Sequence, residues 1–321
     1  MTEKKKNCIK RNLQAYGFLT PFLVLVSLLY ILPAILTVAM AFTDLDGAFI
    51  WEFAGLKNFR KIFRDPNTII IIRNTILYVA ITIGITICLQ LFLATMTTYF
   101  IRDEKKGNFF KAIMMIPMIT PTVVYSVLWI WLLDASENGV VNQLLNRFTG
   151  LGPVNWIAEY PFQVVIFAQV LTSVAYGMTI YSSAIKSIPE NQFRAARVDG
   201  AGEWEIFKQI IIPNLKPHIS FIILWESLGL LTNYTSILLI TDGGPGIQTE
   251  VWALSAYHKA FGNQEYGYGA AISLLLIVVV ALLMFVITIM PRRTKITRSF
   301  FVRSSIRQNW QRVSAIRKRL C

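Results

Sequence analysis

The chain has 321 residues, of which 55% are hydrophobic and only 15% are charged, and its mean hydropathy is +0.52. Soluble domains carry about a quarter of charged residues, so this composition excludes an ordinary soluble globular protein. The apolar residues are gathered into runs long enough to cross a bilayer, which predicts an all-α polytopic membrane protein. The formal net charge of +13 needs a separate explanation.

Six apolar segments predict six transmembrane helices, preceded by a basic N-terminal tail (1–16) and followed by a basic C-terminal tail (291–321). Pro117 and Pro121 predict a kink in the third helix. Together the spans form one transmembrane domain over 17–290. In chain order they are 17–42, 74–100, 109–133, 162–185, 218–240 and 267–290.

A short helix is predicted between the first two spans. Leu56, Phe59, Ile62 and Phe63 recur at helical spacing. We interpret this segment as a helix lying on the membrane surface, with its basic side chains reaching toward water.

The placement of the basic residues indicates the orientation. Most of the 31 lysines and arginines fall in the two tails, in the loop after the second span and in the polar segment 187–217, called the central loop below. Cytoplasmic loops of membrane proteins carry this excess, so both termini and the central loop are expected in the cytoplasm. Anionic lipid of the cytoplasmic leaflet accounts for the net charge, and no nucleic acid partner is expected.

The central loop is predicted to form a helix, a sharp turn and a second helix. Ser187 and Glu190 fit a capping box at the start of the first helix. Gly200 supplies the turn, since glycine tolerates backbone angles that other residues avoid. Pro213 and Pro217 are expected to end the second helix. A solvated connector is the alternative, but it would need neither helices nor small residues.

The central loop resembles the cytoplasmic "EAA" loop of importer permeases in the ABC superfamily, whose pattern is E-A-A-x-x-x-D-G-A followed by an aromatic residue and a proline. Arg194 stands where that family has a glutamate. The resemblance implies that the loop is the contact with an ATPase subunit. The residues it assigns to this coupling role are Arg194, Ala195, Ala196, Asp199, Gly200, Ala201, Phe207 and Pro213.

From about residue 16 to 290 the chain is similar to carbohydrate-uptake permeases of the maltose-permease-like branch, on the segments 55–59, 241–245 and 257–261. The resemblance implies a type I ABC importer transmembrane domain in a prokaryotic cell membrane. The implied partners are a second homologous permease, two ABC ATPase subunits, an extracytoplasmic solute-binding protein, a carbohydrate substrate and membrane lipid. ATP and Mg²⁺ would bind the ATPase subunits, and no cofactor is expected in this chain.

Polar and aromatic side chains inside the fourth and fifth spans suggest a sugar site, because aromatic faces stack on sugar rings and amides bind hydroxyl groups. Ordinary hydrogen bonding between helices is the alternative for each residue. By the resemblance, Tyr176 and Asn233 keep the residue types expected for a maltooligosaccharide, and the other positions differ, so a substrate other than maltose is expected. The implied substrate-binding residues are Ser173, Tyr176, Glu226, Gly229, Leu230 and Asn233.

The sequence contains no Walker A loop, no nucleophile elbow, no zinc-protease motif and no dinucleotide-binding glycine pattern. It therefore predicts a translocation subunit that is not itself an enzyme. The competing hypothesis is an ion-coupled secondary transporter that works without an ATPase. Such a transporter needs buried titratable groups, and Glu226 is the main candidate.

Overall fold

The computed structural model describes residues 17–101 and 103–285, and this part of the chain is helical. It contains no β-strand, only an isolated antiparallel bridge between Thr43 and Phe53. The helices in chain order are α1 (Gly17–Ala41), α2 (Lys57–Arg64), α3 (Asn67–Phe100), α4 (Glu104–Ile119), α5 (Thr122–Leu132), α6 (Val140–Thr149), α7 (Trp156–Glu159), α8 (Pro161–Lys186), α9 (Glu190–Val198), α10 (Glu203–Ile206), α11 (Ile212–Thr232), α12 (Thr235–Ile240), α13 (Trp252–Tyr257) and α14 (Tyr266–Phe285).

Four of these helices, α1, α3, α8 and α14, are long and apolar enough to cross a membrane, and the bent pair α4–α5 makes a fifth candidate. The prediction of an all-α membrane fold is therefore confirmed. The predicted first, fourth and sixth spans correspond to α1, α8 and the described part of α14. The two predicted tails (1–16 and 291–321) lie outside the described residues.

The second and third spans differ from their predicted forms. Helix α3 begins at Asn67 rather than at residue 74, because the Asp65 carboxylate accepts a hydrogen bond from the Asn67 amide (2.9 Å) and supports an earlier start. The third span is two helices joined at Thr120–Pro121 with an angle of 97° between them. The predicted kink is therefore a break. A proline cannot donate the hydrogen bond that would continue the helix across it.

The fifth span was wrongly predicted to be separate from the central loop. Helix α10 continues through a π-helical segment (Phe207–Ile211) directly into α11. Pro213 does not stop the helix, because it occupies the first turn of α11, where its missing N–H is tolerated beside the wider π turn. The helix instead ends at Thr232, and its C-cap, Asn233, lies two residues before the start of α12.

Helix α2 forms as predicted, and the protein buries one side of it. Asn58 and Ile62 are buried, and the Asn58 side-chain amide donates to the carbonyl oxygens of Ala41 (3.1 Å) and Thr43 (2.8 Å). Leu56 and Phe63, which were grouped with Ile62, are exposed. The helix is thus fixed to the protein through a buried polar residue, a contact that hydrophobic spacing does not reveal.

Helix α8 lies at the centre of the described bundle and packs against α3, α4, α11 and α12. Its side chains Met178 and Tyr181 are fully buried. They belong to a cluster that also includes Phe193 and Ile206 from the central loop. The core between the helices therefore extends without interruption into the central loop.

Candidate functional site

The central loop has the predicted helix–turn–helix form. The turn is made by Gly200, whose φ of +82° lies in the left-handed region. The Ala201 N–H crosses this turn and donates to the carbonyl oxygen of Ala196 (2.9 Å). The predicted capping box is wrong: the Ser187 hydroxyl donates to the Ala184 carbonyl at the end of α8, and α9 has no side-chain cap.

The residues assigned to coupling divide into two groups. Ala196, Ala201 and Phe207 are partly buried and pack against the core cluster shared with α8. The others are exposed: Arg194, Ala195, Asp199, Gly200 and Pro213. The Arg194 guanidinium contacts the Glu190 carboxylate one turn earlier (3.2 Å), so both charges remain on the open side of α9. The loop thus has one face fixed to the protein and one face free.

A polar network fixes the loop to the end of α3. The Tyr99 hydroxyl donates to the Glu203 carboxylate (2.5 Å) and accepts from the Arg197 guanidinium (2.9 Å). The Tyr99 ring also contacts Phe193, with 5.3 Å between ring centroids. Movement of the central loop must therefore be shared with α3 or break these contacts. Sequence reasoning missed Tyr99, because nothing in its own neighbourhood shows which distant segment it meets.

Replacing Tyr99 by phenylalanine tests this connection. We expect Tyr99→Phe to keep the ring contact and lose both hydrogen bonds, each worth ~1 kcal/mol. Together these losses amount to ~2 kcal/mol, so amide hydrogen exchange in the central loop should become about thirtyfold faster. Tyr30→Phe, at an exposed tyrosine of α1, is the control. Equal exchange in the two variants would show that the network does not hold the loop.

A cavity of about 310 Å³ lies between α8 and α11. It brings together all six residues that the sequence analysis assigned to substrate binding. The lining residues on α8 are three or four positions apart, and so are most of those on α11. This spacing places them on one face of each helix, and the two faces meet at the cavity. The lining residues are Gln169, Ser173, Tyr176, Trp225, Glu226, Gly229, Leu230 and Asn233.

Aromatic rings form part of the cavity wall. The Tyr176 and Trp225 rings are stacked, with centroids 6.2 Å apart and 28° between their planes. Trp225 did not appear among the predicted residues, although its position next to Glu226 was a usable signal. Both rings are open to a ligand, because Tyr176 is only partly buried and Trp225 is exposed. Stacked rings beside polar groups are suited to the apolar face of a sugar.

Amide side chains hold the polar groups of the cavity in place. The Asn233 side-chain amide donates to Gln169 Oε1 (3.3 Å), and the Gln169 amide donates to the Ser173 hydroxyl (3.2 Å). Gln90 of α3 donates to Glu226 Oε1 (2.5 Å) and to the Ser173 carbonyl oxygen (3.0 Å). Three helices therefore meet at this site.

Gln90 was missed by sequence reasoning, but a signal exists. It ends a row of buried polar residues spaced four apart along α3, and this spacing keeps them on the buried side of the helix. Polar residues inside a membrane helix usually face the bundle interior, so the row itself predicts the inward face of α3. The row consists of Asn74, Tyr78, Thr82, Thr86 and Gln90.

Outside the spans, His258 joins the two ends of the loop that follows α12. Its ring nitrogens lie 3.0 Å from the carboxylates of Glu250 and Asp242. Burial raises the pKa of the Glu250 carboxyl above its ordinary value, and the neighbouring His258 opposes that rise. His258 therefore links the segment 241–245 to Glu250.

A bundle of apolar helices with a polar, aromatic-lined cavity between them is the architecture of a membrane transport protein. Residues 90–296 match the family described as "Binding-protein-dependent transport system inner membrane component". The chain belongs to this family. It is accordingly an integral membrane protein and the permease component of an ABC-type importer. The alternative of an ion-coupled transporter is discarded.

Relatives match most of the chain. A probable ABC transporter permease of Pyrococcus horikoshii is 31% identical and covers 85% of this chain and 92% of its own length. The lactose transport system permease protein LacF of Rhizobium radiobacter is 26% identical, with coverage of 89% and 97%. The fold also matches a crystal structure of a bacterial ABC transporter involved in alginate import, with a TM-score of 0.80 and 22% identity over 91% of this chain and 99% of that one.

Proposed function

We propose that this chain is the translocation subunit of an ATP-driven importer for oligosaccharides or related sugars. It forms half of the translocation pathway with a second homologous permease and receives its substrate from an extracytoplasmic binding protein. Two ATPase subunits bind ATP and Mg²⁺ and perform the hydrolysis, so this chain contributes no catalytic group. Both termini and the central loop lie in the cytoplasm, where anionic lipid contacts the basic residues.

The observation that carries the sugar assignment is the composition of the cavity. Two stacked aromatic rings and three amide or hydroxyl side chains converge on one space. Apolar C–H faces of a pyranose stack on aromatic rings, and its hydroxyl groups exchange hydrogen bonds with amides. The relatives include a lactose permease, which supports the same substrate class.

The free face of the central loop supports the coupling role. Val198 is 87% exposed and Trp204 is 67% exposed, at the two sides of the Gly200 turn. Large apolar side chains exposed together with charged neighbours are typical of a surface that binds another protein. Closure of the ATPase dimer would push on this face and tilt α8 and α11, which enter and leave the loop.

Substitutions in the cavity test the substrate site. We expect Tyr176→Ala and Asn233→Ala to lower uptake of the transported sugar about fivefold or more, since a lost hydrogen bond or ring contact costs ~1–3 kcal/mol. Uptake is measured in proteoliposomes that contain the complete importer and its binding protein. Copurification of the ATPase subunits should be unchanged.

The controls are Tyr30→Ala and Asn146→Ala, at exposed positions far from the cavity in the chain. Wild-type uptake by both cavity variants would show that substrate does not pass this cavity. A chain that transports sugar without any copurifying ATPase would contradict the whole assignment.

A further inference from the structure

Glu226 is a buried acid whose charge is not compensated within the described part of the chain. The residue is only 8% exposed. One carboxylate oxygen accepts the hydrogen bond from Gln90, and the other, Oε2, has no hydrogen-bond partner among the described residues. Burying a carboxylate destabilises the protein unless a cation or a hydrogen-bond donor contacts it. The missing hydrogen bond alone costs ~1–3 kcal/mol.

The surroundings of Glu226 suit a cationic ligand. None of the described residues that line the cavity is basic. The stacked Tyr176 and Trp225 rings lie in the same cavity, and aromatic faces attract ammonium groups. A carboxylate together with aromatic faces is the usual chemistry for holding an amine. An acidic ligand would instead place a second negative charge beside Glu226.

The other end of the cavity is neutral and suits hydroxyl groups. Asn233 is seven residues after Glu226, or about 10 Å along the helix. There it contacts Gln169, which in turn contacts Ser173. A ligand that reaches from Glu226 to Asn233 is thus about as long as a disaccharide, with its positive charge at one end.

We propose that the substrate is a sugar or sugar-like solute with an amino or ammonium group, and that Glu226 binds this group. The inference rests on the proposed function, because it assumes that the cavity holds the transported solute. Gln90 positions the carboxylate by binding Oε1, and a rotation of the Glu226 side chain would bring the buried, unpartnered Oε2 to the ligand. The ammonium supplies both the hydrogen bond and the counter-charge that the described residues lack.

Binding of matched disaccharides to the complete importer in lipid nanodiscs tests the proposal. Three probes differ at one ring position, which carries an amino, a hydroxyl or a carboxylate group. The wild type should bind the aminated probe at least tenfold more tightly than the neutral one, a difference of 1.4 kcal/mol. The acidic probe should bind most weakly. Glu226→Gln, which keeps the acceptor for Gln90, should abolish the preference, and Glu226→Asp should retain part of it.

Three outcomes would overturn the proposal. They are the absence of binding by the aminated probe, equal binding of the aminated and neutral probes, and a preference that Glu226→Gln leaves unchanged. Loss of the second permease from Glu226→Gln preparations would also contradict it, since the carboxylate would then pair with that chain. If Tyr176→Ala still impairs uptake in these cases, the sugar site stands and only the charge assignment fails.

Discussion

Gly200→Val is expected to abolish the ATP hydrolysis that substrate-loaded binding protein stimulates, with at least a tenfold loss. Gly200 has a φ of +82°, a conformation that costs a β-branched residue about 1–3 kcal/mol. Relaxing to negative φ would break the bond from the Ala201 N–H to the Ala196 carbonyl and move α10 relative to α9. Hydrolysis is measured on the reconstituted importer with and without loaded binding protein.

Gly202→Val is the matched control for this variant. Both glycines have open space where a Cβ would lie, but Gly202 has a φ of −73° and a ψ of 164°, which any residue adopts. The comparison therefore separates backbone strain from added bulk. Membrane insertion of both variants should equal that of the wild type. If Gly200→Val and Gly202→Val showed equal stimulated ATP hydrolysis, the turn at Gly200 would have no part in coupling.

The turn at Gly200 was predictable because glycine chemistry is local. The course of the adjoining helices was harder to predict. Pro213 and Pro217 predict a stop, yet the helix continues through both, with a π-helical segment (Phe207–Ile211) directly before Pro213. That solution depends on packing of Ile206 and Ile211 against the core, and both are buried. Tertiary contacts of this kind outweigh the local preference of proline to end a helix, and they cannot be recognised from the neighbouring sequence.

The cavity also combines features that the sequence predicts with features that only tertiary packing determines. Tyr176 and Asn233 were assigned to substrate binding through the family resemblance, and both line one cavity. Their role in binding stays a prediction. Gln90 was missed because its contact with Glu226 joins residues 136 positions apart. Helix periodicity gives the inward face of a span, but only the packing of three spans shows which inward residues meet.

Gly177→Ala is expected to destabilise the protein and to disrupt the cavity. A Cβ at Gly177 would lie 2.1–2.5 Å from three side-chain atoms of Gln90. Gln90 would have to withdraw, and its bonds to Glu226 and Ser173 would be lost. Overpacking costs about 1–3 kcal/mol, and each buried group left unpaired costs a similar amount. At about 2–4 °C per kcal/mol, the thermal midpoint in detergent should fall by at least about 5 °C.

Gly84→Ala is the control on the neighbouring helix α3, where no atom of the described residues outside that helix lies within 4 Å of the added Cβ. Alanine is a better helix former than glycine by ~0.5–1 kcal/mol, so this variant should be as stable as the wild type or slightly more so. Gln90→Ala in the Gly177→Ala background supplies the decisive comparison. Because the clash is with the Gln90 side chain, its removal should recover part of the lost stability. A double variant no more stable than Gly177→Ala would mean that Gln90 does not occupy the space that Gly177 leaves free, and that Glu226 is held in the cavity by other means.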